Sequence, residues 1–269
     1  MIKQLLQGAI ALSLLSSSVV FADGISDAVN HENRSVKERS RDEYRNPQQT
    51  LRFFDVQPDM AVAEISPGGG WYSNILAPLL KDNGKYYAAH FYLYDGAPSY
   101  YPRLLEGFKK KLASNPDYKN VILTAFHHLK AQDFAPANSL DRIVTFRNVH
   151  NWYMDGRESG VEQAFISFAK ALKKGGMVGV VEHKLPESAS DEMQKSSGYM
   201  KQSVVIAAAQ KAGLTLVAES DLNLNPLDTS DHERGVWTLP PTLALREKDQ
   251  AKYLAIGESS RMTLKFIKP

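Results

Sequence analysis

Residues 61–71 read AVAEISPGGGW, a short apolar run that ends in an acid and leads into three consecutive glycines before a tryptophan. Glycine loses more conformational freedom on folding than any other residue, so it is expected where the backbone turns with positive φ or approaches another group closely. The segment predicts a buried strand at 60–65, a tight turn at 66–70 and a helix from residue 71. The turn either serves only the geometry of the chain or lets the backbone approach a nucleotide-like ligand.

Strand-like and helix-like segments alternate along the rest of the chain. Apolar runs predict strands at 60–65, 85–91, 121–125, 141–146, 177–182, 214–218 and 262–267. Helical patterns cover 47–54, 71–80, 100–113, 161–172 and 200–212. This order predicts an α/β domain whose sheet is mostly parallel and covered by helices on both faces. A loop excursion is expected at 223–260, and its polar, proline-punctuated part at 223–242 is a candidate lid or mobile segment.

The composition is ordinary for one soluble domain, with 43% hydrophobic and 23% charged residues in a chain of 269. A formal net charge of +2 provides no global field for nucleic acid or anionic lipid, so a small-molecule ligand is favoured. The absence of cysteine excludes disulfides and thiolate metal sites. These features leave the oligomeric state open.

The first 22 residues differ from the rest of the chain. Lys3 precedes a short apolar stretch, and small or apolar residues lead up to Ala22. This pattern is typical of a secretory signal peptide and is too short for a bilayer-spanning helix. We therefore expect cleavage after Ala22, a periplasmic or secreted protein and no stable membrane insertion; an uncleaved anchor or a buried first helix is the alternative. Residues 23–46 predict a charged surface arm with helical pieces, and residues 47–269 the main domain.

The glycine turn differs from the dinucleotide-binding fingerprint. That fingerprint requires G-x-G-x-x-G, in which the third glycine allows the helix to pack closely on the strand. Gly68 and Gly70 fit the first two positions, but Ser73 occupies the third and the bulky Trp71 lies where the turn meets the helix. A pyrophosphate site, and with it a nicotinamide oxidoreductase, is therefore disfavoured.

Glu64–Trp71 resembles the first motif of class I S-adenosylmethionine-dependent methyltransferases, an acid that ends strand one before a glycine-rich bend. Residues 141–146 are similar to strand four of that family, and residues 172–177 to the turn before strand five. More narrowly, the chain resembles exported predicted methyltransferases that carry E-x-x-P-G-G-G-W, R-N-x-H-N-W and an ending like residues 258–264. The resemblance covers residues 47–220 in strand order. It implies a Rossmann-like, doubly wound, seven-stranded methyltransferase sheet, mostly parallel, with an antiparallel C-terminal strand inserted next to the edge.

The resemblance also implies S-adenosyl-L-methionine as the cofactor, bound over the glycine turn. Gly68 and Gly70 would border its methionine part, and Glu64 would support the turn through hydrogen bonds. Strand two commonly ends in an acid that holds both ribose hydroxyls, whereas this chain carries His90, which can make one such bond. Asp133 is a candidate for holding the adenine, or is a helix or turn cap. The expected cofactor-binding residues are Glu64, Ser66, Pro67, Gly68, Gly69, Gly70, Trp71, His90 and Asp133.

A second polar cluster, TFRNVHNWY at 145–153, follows the predicted strand at 141–146. Methyl transfer from a sulfonium is an in-line displacement in which alignment supplies most of the acceleration, and a base is needed only for a weakly nucleophilic acceptor. His150 is the candidate base because imidazole titrates near neutral pH, and Asn148 or Arg147 would orient the reactants. The resemblance implies that these residues lie beside the transferred methyl group.

Alternatives remain for the neighbouring residues. Trp152 or Tyr153 can line the site of the methyl group or stack on an aromatic acceptor. The alternative is that His150 and Trp152 only pack the start of the next helix. Glu182 and His183, at the end of the fifth strand, form a third candidate pair, which can contact the acceptor or a metal. His127, His128 and His232 lack metal-binding partners at a helical i, i+4 spacing and H-E-x-x-H is absent, so no metal site is expected.

Two functions remain open at this point. The first is methyl transfer from S-adenosylmethionine to a small-molecule acceptor that the sequence does not identify. The second is a non-catalytic exported binding protein that retains the methyltransferase fold, because an exported enzyme needs a supply of cofactor and His90 replaces the expected acid. No serine lies in a G-x-S-x-G elbow, which argues against an α/β hydrolase.

Overall fold

The computed structural model describes residues 24–130 and 133–269, and the predicted signal peptide lies outside the described residues. The strands are β1 (Ala61–Ile65), β2 (Lys85–Phe91), β3 (Ile122–Phe126), β4 (Leu140–Phe146), β5 (Leu172–Leu185), β6 (Met200–Lys201), β7 (Thr215–Ser220) and β8 (Arg261–Ile267). The α-helices are α1 (Gly24–Val29), α2 (Val36–Arg39), α3 (Asp42–Arg45), α4 (Pro47–Phe53), α5 (Ser73–Leu80), α6 (Tyr100–Ser114), α7 (Val149–Ala171), α8 (Asp191–Ser196), α9 (Gln202–Lys211) and α10 (Gln250–Ile256). Short 3-10 helices lie at Pro116–Tyr118 and Gly235–Thr238.

The strands form one sheet in the order β3-β2-β1-β4-β5-β8-β7. Neighbouring strands from β3 to β5 run parallel, whereas β8 runs antiparallel to both β5 and β7. The seven strands on this path lie at the predicted places, and the two-residue β6, which pairs with β5, is an addition. The predicted fold class, a doubly wound and mostly parallel sheet with an antiparallel C-terminal strand, is confirmed.

Apolar side chains cover both faces of the sheet because successive residues of a strand point to opposite faces. On β1, Val62 packs into one layer of the core and Ala63 into the other. The first layer is completed by α1, α4, α5 and α6, and the second by α7 and α9. Within α7, Arg157 has φ 53° and ψ −147°, so two helical pieces meet there and the predicted helix at 161–172 lies in the second.

The direction of strand order reverses at β1, which lies between β2 and β4. Connections that leave two such parallel strands diverge, and the divergence opens a crevice beyond their carboxyl ends. The glycine turn follows β1 and the polar residues 147–148 follow β4, so both segments lie at this crevice.

The amino-terminal segment, residues 24–46, packs onto the domain more closely than its charge pattern predicts. The apolar residues of α1 are buried in the core layer that contains α5. Arg34 forms a bidentate ion pair with Asp42, and the buried Arg45 pairs with Glu258. The segment therefore differs from a solvated surface arm because several of its charges are neutralised by partners within the fold. No helix in the described ranges combines the length and apolar character that crossing a bilayer requires.

The predicted excursion at 223–260 contains the second 3-10 helix and α10. Its base is anchored by Asn223, whose amide nitrogen donates to the hydroxyls of Thr50 (3.2 Å) and Thr263 (2.9 Å). These bonds tie the start of the excursion to α4 and β8. Its 3-10 helix, Gly235–Thr238, reaches the carboxyl end of the sheet, so the excursion is part of the crevice.

Candidate active site

A cleft of about 670 Å³ lies at the carboxyl ends of β1, β4 and β5. It is lined by the glycine turn, the residues after β4, helices α2 and α3, part of the excursion and the residues that lead into β8. A cleft of this size can hold a cofactor or drug-sized molecule. The site is thus built from loops and helix ends that a rigid sheet positions.

The glycine turn presents bare backbone to the cleft. Ser66, Gly68 and Gly70 have φ values of 51°, 58° and 79°, in the left-handed region that glycine adopts without strain. A Cβ atom built on Gly68 or on Gly69 would meet no protein atom within 4 Å. Gly68 therefore serves both purposes that the sequence suggested, since it allows the turn and leaves room for a ligand, and Gly69 adds open space. Gly70 allows the turn but differs from the expected ligand contact, because a Cβ there would meet Phe108 and Lys111 at 3.3 Å.

His90 supports the glycine turn from below. Its Nδ1 accepts a hydrogen bond from the backbone N–H of Phe91 (2.8 Å), so Nε2 carries the proton and donates to the carbonyl of Gly68 (3.1 Å). Burial lowers the pKa of His90 to about 4 and keeps the ring neutral. Both nitrogens are occupied, so His90 differs from the expected ribose contact and acts as a buttress of the turn.

Glu64 lies beneath the helix that follows the turn. Its carboxylate is 3% exposed and accepts hydrogen bonds from Ser73 (2.6 Å) at the start of α5 and from the hydroxyl of Tyr86 on β2. Burial raises the pKa of Glu64 to about 7, against the opposing effect of these two donors. The expected support by hydrogen bonds thus reaches the first residue of α5.

Trp71 joins the glycine turn to the amino-terminal helices. Its ring lies 4.8 Å from the guanidinium of Arg34 and 4.6 Å from that of Arg45, within the range of cation–π contacts. Its indole N–H donates to the carbonyl of Glu38 (3.2 Å). The aromatic residue after the glycines therefore clamps α2 and α3 over this side of the cleft.

The residues after β4 line the cleft beside the glycine turn. Arg147 has φ 61°, a left-handed conformation that is uncommon outside glycine, and its N–H donates to the carbonyl of Val181 (2.7 Å). The amide nitrogen of Asn148 donates to the carbonyl of Ile65 (2.9 Å) and to the hydroxyl of Thr145 (3.1 Å). Asn148 thus ties β4 to the end of β1 and keeps its side-chain oxygen for the cleft.

His150 and Glu182 form a buried pair beside Asn148. His150 Nδ1 lies 2.9 Å from the Glu182 carboxylate, which also accepts the backbone N–H of His150 (3.2 Å) and of His183 (2.8 Å). A carboxylate at Nδ1 selects the tautomer with the proton on that nitrogen, so the lone pair is on Nε2 of a ring that lines the cleft. This arrangement can accept a proton from a bound molecule.

His183 completes this group. Its ring centroid lies 5.2 Å from that of His150, and its Nδ1 lies 2.6 Å from the hydroxyl of Ser259. Burial, followed by the proximity of His150, holds the pKa of His183 well below its usual range, so the ring is neutral. The third candidate pair from the sequence, Glu182 and His183, is thus part of the same site as His150.

Within the described residues, two groups place potential metal ligands within 4.8 Å of one another, and the first is His127, His128 and Asp155. The second is His150, Glu182 and His183, where three N–H groups already engage the carboxylate. Because its oxygens already accept these hydrogen bonds, the Glu182 carboxylate is suited to orienting His150 as a base.

Three residues considered from the sequence lie away from the cleft. Asp133 is exposed and its carboxylate forms an ion pair with Lys170 (2.6 Å). Trp152 and Tyr153 are buried in the core layer that contains α7, where Trp152 packs against Phe126. The two aromatic rings are buried in the hydrophobic core because they lie on the inward face of α7. The side chain of Asp133 is exposed to solvent instead.

Comparisons with known proteins address the fold. No protein-family model and no curated protein matches the chain. A S-adenosylmethionine-dependent methyltransferase from Aquifex aeolicus superposes with a TM-score of 0.53 at 14% identity, over 86% of this chain and 93% of that one. Geranyl diphosphate C-methyltransferase from Streptomyces coelicolor A3(2), in complex with Mg²⁺, geranyl diphosphate and S-adenosyl-L-homocysteine, superposes with a TM-score of 0.54 at 11% identity. The superposition covers 91% of this chain and 87% of that one.

The chain has the class I methyltransferase fold. The same fold occurs in the (4+2)-cyclase SpnF, which superposes with a TM-score of 0.55 at 14% identity, over 84% of this chain and 80% of that one. Since one fold hosts different chemistries, the fold alone does not decide the reaction.

The methyltransferase fold brings together an arginine cluster that sequence reasoning missed. Arg41 Nε and Arg45 Nε donate to the Glu258 carboxylate at 2.5 and 3.1 Å, and Arg261 also donates to it. Burial opposes ionisation of Glu258, but the positive charges of Arg261, Arg45, Arg147 and Arg41 outweigh it and hold its pKa at about 2. The signals in the sequence were the charged segment before residue 46 and the motif at 258–264, but neither indicated that they meet.

Proposed function

We propose that the protein transfers a methyl group from S-adenosylmethionine to a small molecule bound in the cleft. The observation that carries the proposal is the open backbone of the glycine turn, where a Cβ on Gly68 or Gly69 would meet nothing within 4 Å. A turn of this kind, after the first strand at the switch point of the sheet, is the favoured ligand position in such folds. The candidate base His150 lines the same cleft.

The residues of the cleft fit the cofactor on the side of β1 and β2. The turn at Gly68 and Gly69 would hold the methionine part of the cofactor. Phe91 and Tyr100, which also line the cleft, offer aromatic faces to its adenine ring. The only carboxylates among the described lining residues are Glu38 and Glu258, and neither follows β2. Ribose would therefore be held without the usual acid.

When bound, S-adenosylmethionine supplies an electrophilic methyl group on a sulfonium. The chain contributes alignment and a proton acceptor. Nε2 of His150 accepts the proton of the acceptor nucleophile, and Glu182 stabilises the imidazolium that forms and fixes the orientation of the ring. The side-chain oxygen of Asn148 positions the acceptor, and Trp237, whose ring lies 6.2 Å from that of His150, shields the site from water.

Calorimetry with S-adenosylmethionine and S-adenosylhomocysteine tests the cofactor. We expect the mature protein to bind both, and Gly68→Val to weaken both, because valine fills the space against the turn and strains its left-handed backbone. Absence of binding at millimolar concentrations would remove the proposal.

Turnover is measured as S-adenosylhomocysteine release in the presence of periplasmic extract. His150→Ala and Glu182→Gln should each lower this release, by about 10²- to 10⁴-fold for loss of a general base. His31→Ala, in the amino-terminal segment away from the cleft, is the matched control. Unchanged turnover in His150→Ala would exclude His150 as the base.

A second candidate, a non-catalytic binding protein with this fold, is favoured by one observation. His90, at the place of the ribose-binding acid, is buried with both nitrogens occupied. The (4+2)-cyclase SpnF is a neighbour with a different named activity. Binding of the cofactor without turnover in any extract would support this candidate.

Export is part of the proposal and rests on the sequence of residues 1–22. We expect the mature chain to begin at Asp23 and to be released with the periplasmic fraction. Amino-terminal sequencing of the protein from that fraction tests both points. A chain that retains Met1 in the membrane fraction would contradict export and cleavage.

A further inference from the structure

The arginine cluster consists of Arg41, Arg45, Arg147 and Arg261, which surround Glu258. All five residues line the cleft. Four guanidinium groups therefore face one carboxylate, although a buried charge is normally retained only when it is paired. Lys37, which also lines the cleft, adds one more positive charge to its walls.

The acids near the cluster do not balance it. Glu38 lines the cleft, but its carboxylate already accepts hydrogen bonds from the backbone N–H of Ser35 (2.8 Å) and from the side-chain amide of Asn74 (2.5 Å). Glu182 is committed to the pair with His150. The cluster thus keeps an excess of positive charge in a partly desolvated place.

Several donors of the cluster are unused. Arg41 Nη2, Arg45 Nη1 and Arg261 Nε are buried and donate to no acceptor among residues 24–130 and 133–269. Arg45 and Arg261 are only 3% and 2% exposed. Leaving a buried donor unpaired is costly, so these groups are arranged for an acceptor that the protein itself does not supply.

The position of the cluster indicates which ligand supplies that acceptor. The glycine turn follows β1 and is bonded to β2 through Ser66 and His90. Arg147 follows β4, and Arg261 begins β8 opposite His183 of β5. Arg147 and Arg261 therefore lie at the ends of β4 and β5, beside His150. Arg45 also contacts the ring of Trp71 (4.6 Å), at the end of the glycine turn, so the cluster extends from the turn to His150.

We infer that the arginine cluster binds an oxyanion of the methyl acceptor, a group with more than one negative charge such as a phosphate ester. That the bound molecule is the methyl acceptor rests on the proposed function, whereas the anion site rests on the geometry of the arginine cluster. Guanidinium groups match such oxyanions because their N–H donors form paired, charge-assisted hydrogen bonds. Held there, the acceptor would present its nucleophile to His150 and to the turn.

The probe is inorganic pyrophosphate, with inorganic phosphate as a smaller dianion and acetate as a monovalent anion. Binding to the full mature chain is measured by calorimetry and by the rise in melting temperature, with sodium chloride added to keep ionic strength constant because free charges are screened by salt. We expect affinity to fall in the order pyrophosphate, phosphate, acetate.

The variants are Arg147→Gln and Arg41→Gln, and the second is included because Arg41 is 22% exposed and its loss is less damaging to folding. Each should weaken pyrophosphate binding at least about tenfold, as expected for loss of a hydrogen bond to a charged group. Arg103→Gln, on the exposed surface of α6, is the matched control and should leave pyrophosphate binding unchanged.

A competition experiment separates the acceptor from the cofactor as the source of the oxyanion. Pyrophosphate and S-adenosylhomocysteine should bind together if the cluster serves the acceptor. If pyrophosphate displaces S-adenosylhomocysteine, the cluster holds the cofactor carboxylate and the inference is overturned. Absence of pyrophosphate binding, or equal loss in Arg103→Gln, would also overturn it. Pyrophosphate binding without S-adenosylhomocysteine binding would support the anion site and count against the proposed function alone.

Discussion

Glu64→Gln is the most direct test of the buried carboxyl group beneath the glycine turn. The glutamine keeps the shape of glutamate, and its carbonyl oxygen can accept the hydrogen bonds that Ser73 and Tyr86 donate to Glu64. Its amide group replaces the protonated oxygen of the acid. The substitution therefore imitates the neutral form of Glu64 at every pH.

The magnitude follows from the pKa of Glu64, which burial raises from 4.5 to about 7. The folded protein holds this proton more tightly than the unfolded chain, so stability is lost as pH rises from about 4.5 to about 7. At about 1.4 kcal/mol for each tenfold change in proton affinity, the loss is about 3 kcal/mol. Relative to the wild type, Glu64→Gln should gain this amount between the two pH values.

Urea unfolding of both proteins at pH 4.5, 6 and 8 measures the difference in unfolding free energy. Taking the difference cancels the other titrating groups, which both proteins share. Glu106→Gln, whose side chain is 60% exposed, is the control for loss of a solvated carboxyl group. If the difference in unfolding free energy between wild type and Glu64→Gln stays constant from pH 4.5 to 8, the raised pKa assigned to the buried Glu64 is refuted.

Gly69→Leu should lower the affinity for S-adenosylhomocysteine at least about tenfold in calorimetry with little change in melting temperature, because the added atoms enter open space against the turn. Gly107→Leu, which also adds a side chain in open space but on α6, should leave the affinity unchanged. Glu258→Gln should destabilise the fold by about 3–5 kcal/mol in urea unfolding, since it leaves buried guanidinium groups unpaired, and pyrophosphate should restore part of the loss. The contribution of the Glu258 charge should be present above about pH 4.5 and lost as pH falls toward its pKa of about 2.

Features that depend on neighbouring residues could be predicted well. The alternation of apolar runs with helical patterns placed the seven main strands, and the glycines at 68–70 indicated an open turn. Strand β6 was not predicted because two residues carry no periodic signal. The second half of α7 was predicted and its first half was not, since Arg157 interrupts the helical geometry.

The role of each polar residue could not be derived in the same way. His90 was expected to contact a ligand, but its direction is set by Phe91 and Gly68, which take both ring nitrogens. The partner of His150 is Glu182, 32 residues later, and the partner of Arg45 is Glu258, 213 residues later. A charged or polar residue carries no local mark of the partner it will meet.

The chain's own pattern of apolar residues and glycines was enough to specify a mostly parallel sheet covered on both faces and a bare turn after its first strand, because backbone conformation and side-chain periodicity act over a few residues. The doubly wound order with an antiparallel C-terminal strand was implied by the resemblance to methyltransferases. The folded arrangement was needed to assign His90 to support, to pair His150 with Glu182, and to gather four arginines around one acid. These assignments depend on the order of strands in the sheet and on burial. Both are properties of contacts between distant segments, and they set which charges are paired and which remain for a ligand.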